Sequence, residues 1–293
     1  MQIVGVIGVG HMGTPMAKNL LQSGYPVVVY DINVKQMDAL AQSGARKAAS
    51  AGDLAAQCDV VLTVLTWPKV VEEAVLGEGG VLARMKEGGT LIECSSIDHE
   101  TSIRIAEKVE AAGRRYVEAA LMGRPFEIEN KQLLFLSAGK RETVKQCDPI
   151  FMAIGRKNLY AGDFGKAKLL KIANAMFNAT ETLITYEALT WCMGNQISQE
   201  GFLELVRERR PDRAENLERM MKGGLDTHPS WTAKDVYHGL KFGEDKEIPM
   251  PVLATVNALI NLAKTQNPEG YSFGGMMWKF YERARKGLRG AGH

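Results

Sequence analysis

Ile3-Val4-Gly5-Val6-Ile7-Gly8-Val9-Gly10-His11-Met12-Gly13 is the stretch that decides the fold of this 293-residue chain. Its apolar start predicts a buried strand, and the pattern G-x-G-x-x-G then leads into an amphipathic helix predicted over 12–21. Each glycine has a physical task. Gly8 permits the tight turn, Gly10 lets a phosphate approach the backbone, and Gly13 lets the helix pack on the strand.

This pattern predicts a dinucleotide site whose pyrophosphate lies on the free N–H groups at the start of the helix, near His11 and Met12. The second signal is Asp31, which follows the next predicted strand. Its carboxylate can accept hydrogen bonds from the adenosine ribose and would repel a 2′-phosphate; Lys35 is the nearest cation. The sequence therefore predicts NAD in preference to NADP, although Asp31 is also a common residue at the end of a strand.

Further along the first half, short apolar runs alternate with helical patterns. Continuous runs of Val, Ile and Leu are typical of parallel strands that are buried on both faces. Repeated β-α units of this length predict a doubly wound parallel sheet, the Rossmann architecture. The predicted strands are 2–7, 26–30, 60–65, 90–93, 116–119 and 133–137. The predicted helices are 12–21, 34–42, 69–76, 100–112 and one from about 142.

After Gly162 the pattern changes to helices alone, predicted over 167–193, 199–206, 212–221, 234–242 and 251–265. Glycines at 162 and 165 mark the change. We therefore expect an α/β protein with two domains: a dinucleotide-binding Rossmann domain over 1–162 and an all-α substrate and dimerisation domain over 163–293.

Composition excludes several classes of function. The chain is 45% hydrophobic and 24% charged with a net charge of +2. This near balance of charge, without a dominant run of basic residues, argues against nucleic-acid binding. The four cysteines form no C-x-x-C pair and the histidines no H-E-x-x-H motif, so we expect free thiols and no metal. Because no apolar run is long enough to span a bilayer, we expect a cytoplasmic protein with no membrane partner.

The long predicted helix carries polar residues on one face. Lys171, Asn174 and Asn178 recur at i, i+3 and i+7 among apolar neighbours. Lys166, Lys168 and Lys171 crowd its first turns, where the helix dipole opposes cations by a few tenths of a kcal/mol each, roughly. Such a lysine suits an anionic ligand or proton transfer, whereas a solvated helix face is the alternative.

At this point the sequence resembles a known family, the β-hydroxyacid dehydrogenases, over nearly its whole length. The opening 5–20, Gly-Val-Ile-Gly-Val-Gly-His-Met-Gly-Thr-Pro-Met-Ala-Lys-Asn-Leu, is similar to the family's N-terminal signature. The stretch 162–174, Gly-Asp-Phe-Gly-Lys-Ala-Lys-Leu-Leu-Lys-Ile-Ala-Asn, is similar to its catalytic-lysine motif, with Ala167 replacing a glycine. Lys234-Asp235 matches the family's late Lys-Asp pair.

The resemblance implies an oxidoreductase that transfers hydride between a nicotinamide cofactor and a small anionic β-hydroxy acid or its aldehyde. Lys171 would exchange a proton with the substrate oxygen, and Asn174 would orient Lys171 or the substrate. The cofactor would contact, besides the glycine loop and Asp31, Leu65, Thr66, Pro68, Ser96 and Lys234. The substrate would contact Ser96, Met122, Gly123, Arg124, Lys171, Asn174, Asn178 and Lys234. The family also implies a homodimer or homotetramer.

One segment departs from the family. Where the family usually has D-A-P-V-S-G-G, this chain reads Glu118-Ala-Ala-Leu-Met-Gly-Arg124, so that Met122 replaces the serine and Arg124 the second glycine. Arginine offers a planar, permanently charged fork for a carboxylate, phosphate or sulfonate. The alternatives to this role are an Arg124 that points to solvent and, from Met122, a bulkier or more apolar substrate. A sulfonate-selective enzyme of the sulfolactaldehyde reductase type is therefore one alternative. An imine reductase, against which Lys171 counts, and a non-catalytic NAD-binding sensor are the others.

Overall fold

The structure is a computed structural model that describes residues 2–222, 231–266 and 272–290. By contact the chain divides into two units, Met1–Lys171 and Ile172–His293. The domain boundary at Gly162 stays a prediction. The sequence assigns no role to the C-terminal segment 270–278, Gly-Tyr-Ser-Phe-Gly-Gly-Met-Met-Trp, of which Gly270 and Tyr271 lie outside the described residues.

The first unit is built on one eight-stranded sheet of order β3-β2-β1-β4-β5-β6-β7-β8. Neighbouring strands are parallel except for β6 and β7, which pair antiparallel. The predicted Rossmann architecture is therefore confirmed, with one reversal in an otherwise parallel sheet. The strands are β1 (Val4–Ile7), β2 (Val27–Tyr30), β3 (Arg46–Lys47), β4 (Val60–Thr63), β5 (Thr90–Glu93), β6 (Arg115–Met122), β7 (Leu134–Gly139) and β8 (Lys157–Gly162).

Helices connect these strands and then continue alone. Up to β8 they are α1 (Gly13–Gln22), α2 (Val34–Gln42), α3 (Ala51–Gln57), α4 (Pro68–Leu76), α5 (Val81–Arg84), α6 (His99–Ala111), α7 (Pro125–Glu129) and α8 (Arg141–Ile154). After β8 they are α9 (Lys166–Gly194), α10 (Gln199–Arg209), α11 (Pro211–Met221), α12 (Trp231–Asp245), α13 (Pro251–Gln266) and α14 (Phe273–Gly290). None of those in the described ranges has the length and apolar character needed to cross a membrane.

The parallel strands are apolar on both sides because both faces of the sheet are covered. In β1, Val4 and Val6 belong to the core on one face, whereas Ile7 belongs to the core on the other. This two-sided burial explains the unbroken apolar runs of the sequence.

The second unit has its own helical core, in which Tyr186 and Trp278 meet edge to face with ring centroids 5.2 Å apart. The elements described after Gly162 are all helices, as predicted.

Candidate active site

Three loops open at one edge of the sheet, the carboxyl end of its central strands. Ile7 of β1 pairs in register with Thr63 of β4, Thr63 with Glu93 of β5, and Glu93 with Glu118 of β6. The strands β1, β4 and β5 end at this row. Ligands of open α/β sheets bind at this edge.

The glycine loop after β1 has the shape that a pyrophosphate requires. Gly8 has φ +89°, and a Cβ there would lie 2.3 Å from the carbonyl oxygen of Val64. A Cβ on Gly13 would lie 1.9 Å from the carbonyl oxygen of Gly8, so the start of α1 packs directly on the loop. Around Gly10, by contrast, an added Cβ meets no atom within 4 Å. The loop therefore leaves open space at the glycine where a phosphate is expected.

The start of α1 keeps donors for that phosphate. Its N-cap residue, Met12, makes no side-chain cap hydrogen bond, and no acidic residue lies in the first turn. His11 is exposed and Met12 half-buried. The first amides of a helix lack intrahelical partners and carry the positive end of the dipole, so they suit an anion.

Asp31 is fixed by two backbone donors. The N–H of Val9 donates to its Oδ2 at 2.8 Å, and the N–H of Asn33 donates to its Oδ1 at 2.8 Å. The carboxylate thereby joins the glycine loop to the loop after β2. Because a carboxylate has about four acceptor positions, those not used by Val9 and Asn33 remain for ribose hydroxyls.

The loops after β4 and β5 are tied to each other beside the glycine loop. The N–H of Leu65 donates to Ser95 Oγ at 2.9 Å, and Leu65 Cδ2 lies 2.9 Å from the position of a Cβ on Gly8. Thr66 is exposed, and Pro68 occupies the first turn of α4. The structure thus brings the glycine loop, Leu65 and the loop that carries Ser96 together at the predicted cofactor edge.

A buried charge cluster, which the sequence did not predict, lies below this edge. Lys168 Nζ donates to Glu93 Oε2 at 2.8 Å and to the carbonyl oxygen of Ser95 at 2.8 Å. Glu118 accepts the N–H groups of Lys168 and Gly165 at 2.7 and 2.6 Å. We call Glu93, Ser95, Glu118 and Lys168 the Lys168 cluster.

The electrostatics of the Lys168 cluster keep its lysine charged. Burial lowers the pKa of Lys168, but the charges of Glu93 and Glu118 and the hydrogen bond to Glu93 outweigh that effect, so the pKa is raised above its ordinary value. Burial, together with the charge of Glu93, raises the pKa of the neighbouring Tyr116 well above its usual range. The cluster therefore holds two carboxylates and one ammonium group with a neutral phenol beside them.

Lys171 lies one helical turn beyond Lys168 on α9 and is half-buried. The remaining predicted residues on this face belong to the second unit: Asn174 is exposed, and Asn178 Oδ1 accepts a hydrogen bond from Arg213 Nη1 at 3.4 Å. Lys234 is half-buried on α12. Their roles stay predictions.

The segment with Met122, Gly123 and Arg124 joins β6 to α7. The side chain of Arg124 is 68% exposed, with its guanidinium 4.6 Å from the ring centre of Phe126 and 3.7 Å from Glu127. Gly123 has φ +155° and permits the sharp exit from the strand. The arginine thus rests on its own short helix with most of its surface open to a ligand.

Known proteins resemble this chain in sequence. Residues 3–162 match the family of the NAD binding domain of 6-phosphogluconate dehydrogenase. Glyoxylate/succinic semialdehyde reductase 1 of Arabidopsis thaliana is 27% identical over 272 residues, which cover 89% of this chain and 92% of that protein. Cytokine-like nuclear factor N-PAC of Homo sapiens is 26% identical over 267 residues, which cover 89% of this chain and 48% of that protein. The chain spans about half the length of the N-PAC proteins it matches.

Solved structures share the whole fold. A 3-hydroxyisobutyrate dehydrogenase of Mycobacterium tuberculosis, solved with L-serine, has a TM-score of 0.82 at 19% identity and covers 96% of this chain and 99% of its own. An imine reductase variant of Myxococcus stipitatus in complex with NAD+ has a TM-score of 0.67 at 21% identity, with 96% and 99% covered. The fold and the glycine loop define a protein that binds a nicotinamide dinucleotide. The chain belongs to the β-hydroxyacid dehydrogenase family.

Proposed function

We propose that the protein is an NAD(H)-dependent oxidoreductase that interconverts a small anionic β-hydroxy acid and its aldehyde or keto form. Lys171 gives a proton from Nζ to the carbonyl oxygen during reduction and takes one from the hydroxyl during oxidation, as a general acid and base. When bound, the cofactor supplies or accepts the hydride. Asn174 orients Lys171 or the substrate, and Ser96 and Lys234 contact both ligands.

The observation that carries this proposal is the attachment of the lysine helix to the cofactor edge. Lys168, one turn before Lys171, bonds the carbonyl oxygen of Ser95, while Ser95 Oγ accepts from Leu65 beside the glycine loop. The start of the helix that carries Lys171 and the loops proposed to hold the nicotinamide therefore belong to one hydrogen-bonded unit, which supports Lys171 as the proton donor.

The position of Asp31 supports NAD as the cofactor. A carboxylate already oriented by two N–H groups is suited to ribose hydroxyls, and its charge opposes a 2′-phosphate. We expect NADH to bind at least about tenfold more tightly than NADPH, which is about 1.4 kcal/mol. In the variant Asp31→Ser that preference should shrink. Equal affinities in the unmodified protein would contradict the assignment.

Turnover tests the reaction itself. Purified protein is assayed for NADH and NADPH oxidation with glyoxylate, succinic semialdehyde, tartronate semialdehyde, methylmalonate semialdehyde and sulfolactaldehyde; the first two are named by the Arabidopsis relative. Loss of a general acid typically costs about 10²–10⁴-fold in rate, so Lys171→Met should be nearly inactive while still binding NADH. Lys166→Met, which replaces an exposed lysine at the start of the same helix, is the matched control. Cofactor binding without turnover of any member would contradict the reaction class.

A second candidate is favoured by Arg124, which presents an exposed guanidinium where the family usually has glycine. If the substrate carries a sulfonate, Arg124→Ala should raise KM for sulfolactaldehyde far more than KM for the carboxylate aldehydes. Equal effects on both substrates would leave the carboxylate enzyme as the better assignment.

The two remaining alternatives differ in the turnover that they predict. A non-catalytic NAD-binding sensor, a reading to which the relative named as a nuclear factor gives some weight, would bind NADH identically with and without that lysine and turn nothing over. An imine reductase would reduce a cyclic imine in the same assay. Both are decided by adding the imine to the aldehyde series.

We propose a homodimer or homotetramer in the cytoplasm as the working state. Phe177, Ile184 and Trp191 recur every seven residues on α9 and are 70%, 57% and 66% exposed. The first two line an apolar groove of about 870 Å³ together with Leu205, Ile248 and Val252. An apolar stripe of heptad spacing favours helix-to-helix association. Sedimentation should show Ile184→Glu shifted toward monomer, with Leu262→Glu, exposed outside the groove, as control; unchanged mass would contradict this interface.

A further inference from the structure

We propose that Lys168 is a positioning residue, which holds the Ser95–Ser96 peptide and the first turn of α9 in fixed relation to each other. The proposal rests on the proposed function only for the identity of the reaction that this arrangement serves. The structural basis is the buried ammonium group of Lys168, which bonds the start of α9 to Glu93 and Ser95, far away in sequence.

Both backbone groups of Ser95 form hydrogen bonds to charged side chains. Its N–H donates to Glu93 Oε1 at 2.6 Å, and its carbonyl oxygen accepts from Lys168 Nζ at 2.8 Å. The two charged partners are themselves paired at 2.8 Å. Because Ser95 Oγ also holds the N–H of Leu65, fixing Ser95 fixes the loop after β4 as well.

The orientation of the next amide follows from peptide geometry. In a trans peptide the C=O and N–H groups point in opposite directions, and no cis bond occurs in the described chain. With the Ser95 carbonyl directed at Lys168, the Ser96 N–H is directed away from it. Within the described residues, neither that N–H nor the Ser96 hydroxyl has a hydrogen-bond partner. Lys168 therefore presents Ser96 as a pair of donors for a ligand, and its charge polarises the shared peptide.

The backbone at the start of α9, which carries this side chain, is held by separate hydrogen bonds. Glu118 Oε1 and Oε2 accept the N–H groups of Lys168 and Gly165, and Oε2 also accepts from the Ser102 hydroxyl at 2.8 Å. The charged and titratable groups around Lys168 are Glu93 and Cys94 from the end of β5 and Glu118 from β6. The start of α9 is thus hydrogen-bonded to β6, while the side chain of Lys168 reaches the loop after β5.

Variants at both ends of the ion pair test this role. Lys168→Gln leaves Glu93 buried without its cation and lowers the melting temperature. The double variant Glu93→Gln/Lys168→Gln removes both charges, so the melting temperature should recover. A displacement of about 1 Å can cost on the order of 100-fold in rate, so we expect kcat of both variants to fall about 10- to 100-fold. The NADH Kd should change by a smaller factor than kcat, because the proposed contacts of Leu65 and Ser96 are disturbed while the glycine loop and Asp31 are untouched.

Lys86→Gln is the control, because it breaks an ion pair with Asp59 away from the cofactor edge and should leave kcat unchanged. Lys168→Arg keeps the charge with a different reach and should recover stability more fully than kcat. If the double variant has normal kcat, or if kcat falls only in proportion to the folded fraction, Lys168 is merely structural and the proposal is overturned.

Hydrogen–deuterium exchange gives a readout that needs no substrate. If Lys168 joins the three segments, the double variant should exchange faster at Leu65, at Ser95–Ile97 and at 165–168 together, whereas Lys86→Gln should not. Faster exchange confined to 165–168 would overturn the proposal. If the aldehyde series shows no turnover but exchange rises at all three segments, the proposed function fails while the positioning role stands.

Discussion

At the residue scale, Gly10 and Gly13 show how one motif combines two requirements. A side chain at Gly13 collides with the backbone of Gly8, whereas the space beside Gly10 is open. Gly13 therefore serves the fold, whereas Gly10 leaves open the space in which we propose that a phosphate binds.

The two substitutions should separate these roles. Gly10→Ala should leave the melting temperature within about 2 °C, because the change is about half a kcal/mol or less, yet weaken NADH binding at least tenfold, about 1.4 kcal/mol. Gly13→Ala should lower the melting temperature by several degrees, since overpacking costs roughly 1–3 kcal/mol. Calorimetry and NADH titration check both variants, and a Gly10→Ala protein with normal affinity would argue against a phosphate at this loop.

Individual residues also show which contacts local sequence patterns can predict and which they cannot. The glycines and Asp31 follow from local spacing, because each acts on a ligand or neighbour within one β-α unit. Spacing alone identifies Lys168 only as a cation at an unfavourable position in the first turn of a helix. Its partners Glu93 and Glu118 lie 75 and 50 residues away, a separation at which local patterns carry no information. A signal was nevertheless present, because a carboxylate inside an apolar strand requires a buried partner.

At the scale of elements, the α6 helix depends on its N-cap residue, Asp98. Asp98 accepts the N–H of Thr101 at 2.8 Å as the N-cap of α6. Burial raises the pKa of Asp98, but the hydrogen bonds from Thr101 outweigh that effect and lower it.

Replacing the cap should therefore destabilise the protein. Asp98→Ala should cost about 0.5–2 kcal/mol of unfolding free energy in urea, whereas Glu107→Ala, exposed on the same helix, should cost less. The lowered pKa means that the cap stabilises fully above the unfolded-state value and loses its effect as pH falls through the folded-state value. The difference between Asp98→Ala and the parent should accordingly shrink in acid; a difference independent of pH would show that the charge is not involved.

Most long elements followed from the sequence, but several short ones and the 18-residue helix α14 did not. The strands with unbroken Val and Ile and the 29-residue helix α9 were visible as patterns. The elements β3, α3, α5, α7, β8 and α14 were not predicted. The β3 strand has two exposed residues, α3 is a short run of small residues, and β8 is an edge strand with an exposed, mixed sequence. Pairing with a neighbour creates such strands, and their own residues carry no period that predicts them. The antiparallel orientation of β7 relative to β6 likewise depends on the pairing of whole strands.

At the scale of the whole molecule, we expect two buried protonated side chains of the first unit, Lys168 and Tyr116, to determine how its stability falls at high pH. Both Lys168 and Tyr116 have raised pKa values, so the native state holds these protons more firmly than the unfolded chain does. Their contribution is complete below the unfolded values, about 10, and is lost as pH rises through the folded values. Melting temperatures should fall steeply above about pH 10. The double variant at Glu93 and Lys168, together with Tyr116→Phe, should flatten that decline, and an unchanged slope would place its origin elsewhere.

The attachment of the first turn of α9 to the sheet has a consequence for biosynthesis. As the chain leaves the ribosome, all eight strands are available once Gly162 has emerged, yet Glu93 and Glu118 then lie in the sheet without their cation. The nascent sheet can reach its native form only after Lys168 has also cleared the exit tunnel. When translation is arrested at increasing chain lengths, the pulling force generated by folding should therefore appear only once Lys168 has left the exit tunnel. A fragment that ends after Lys171 should refold well, whereas a fragment that ends at Gly162 should refold poorly.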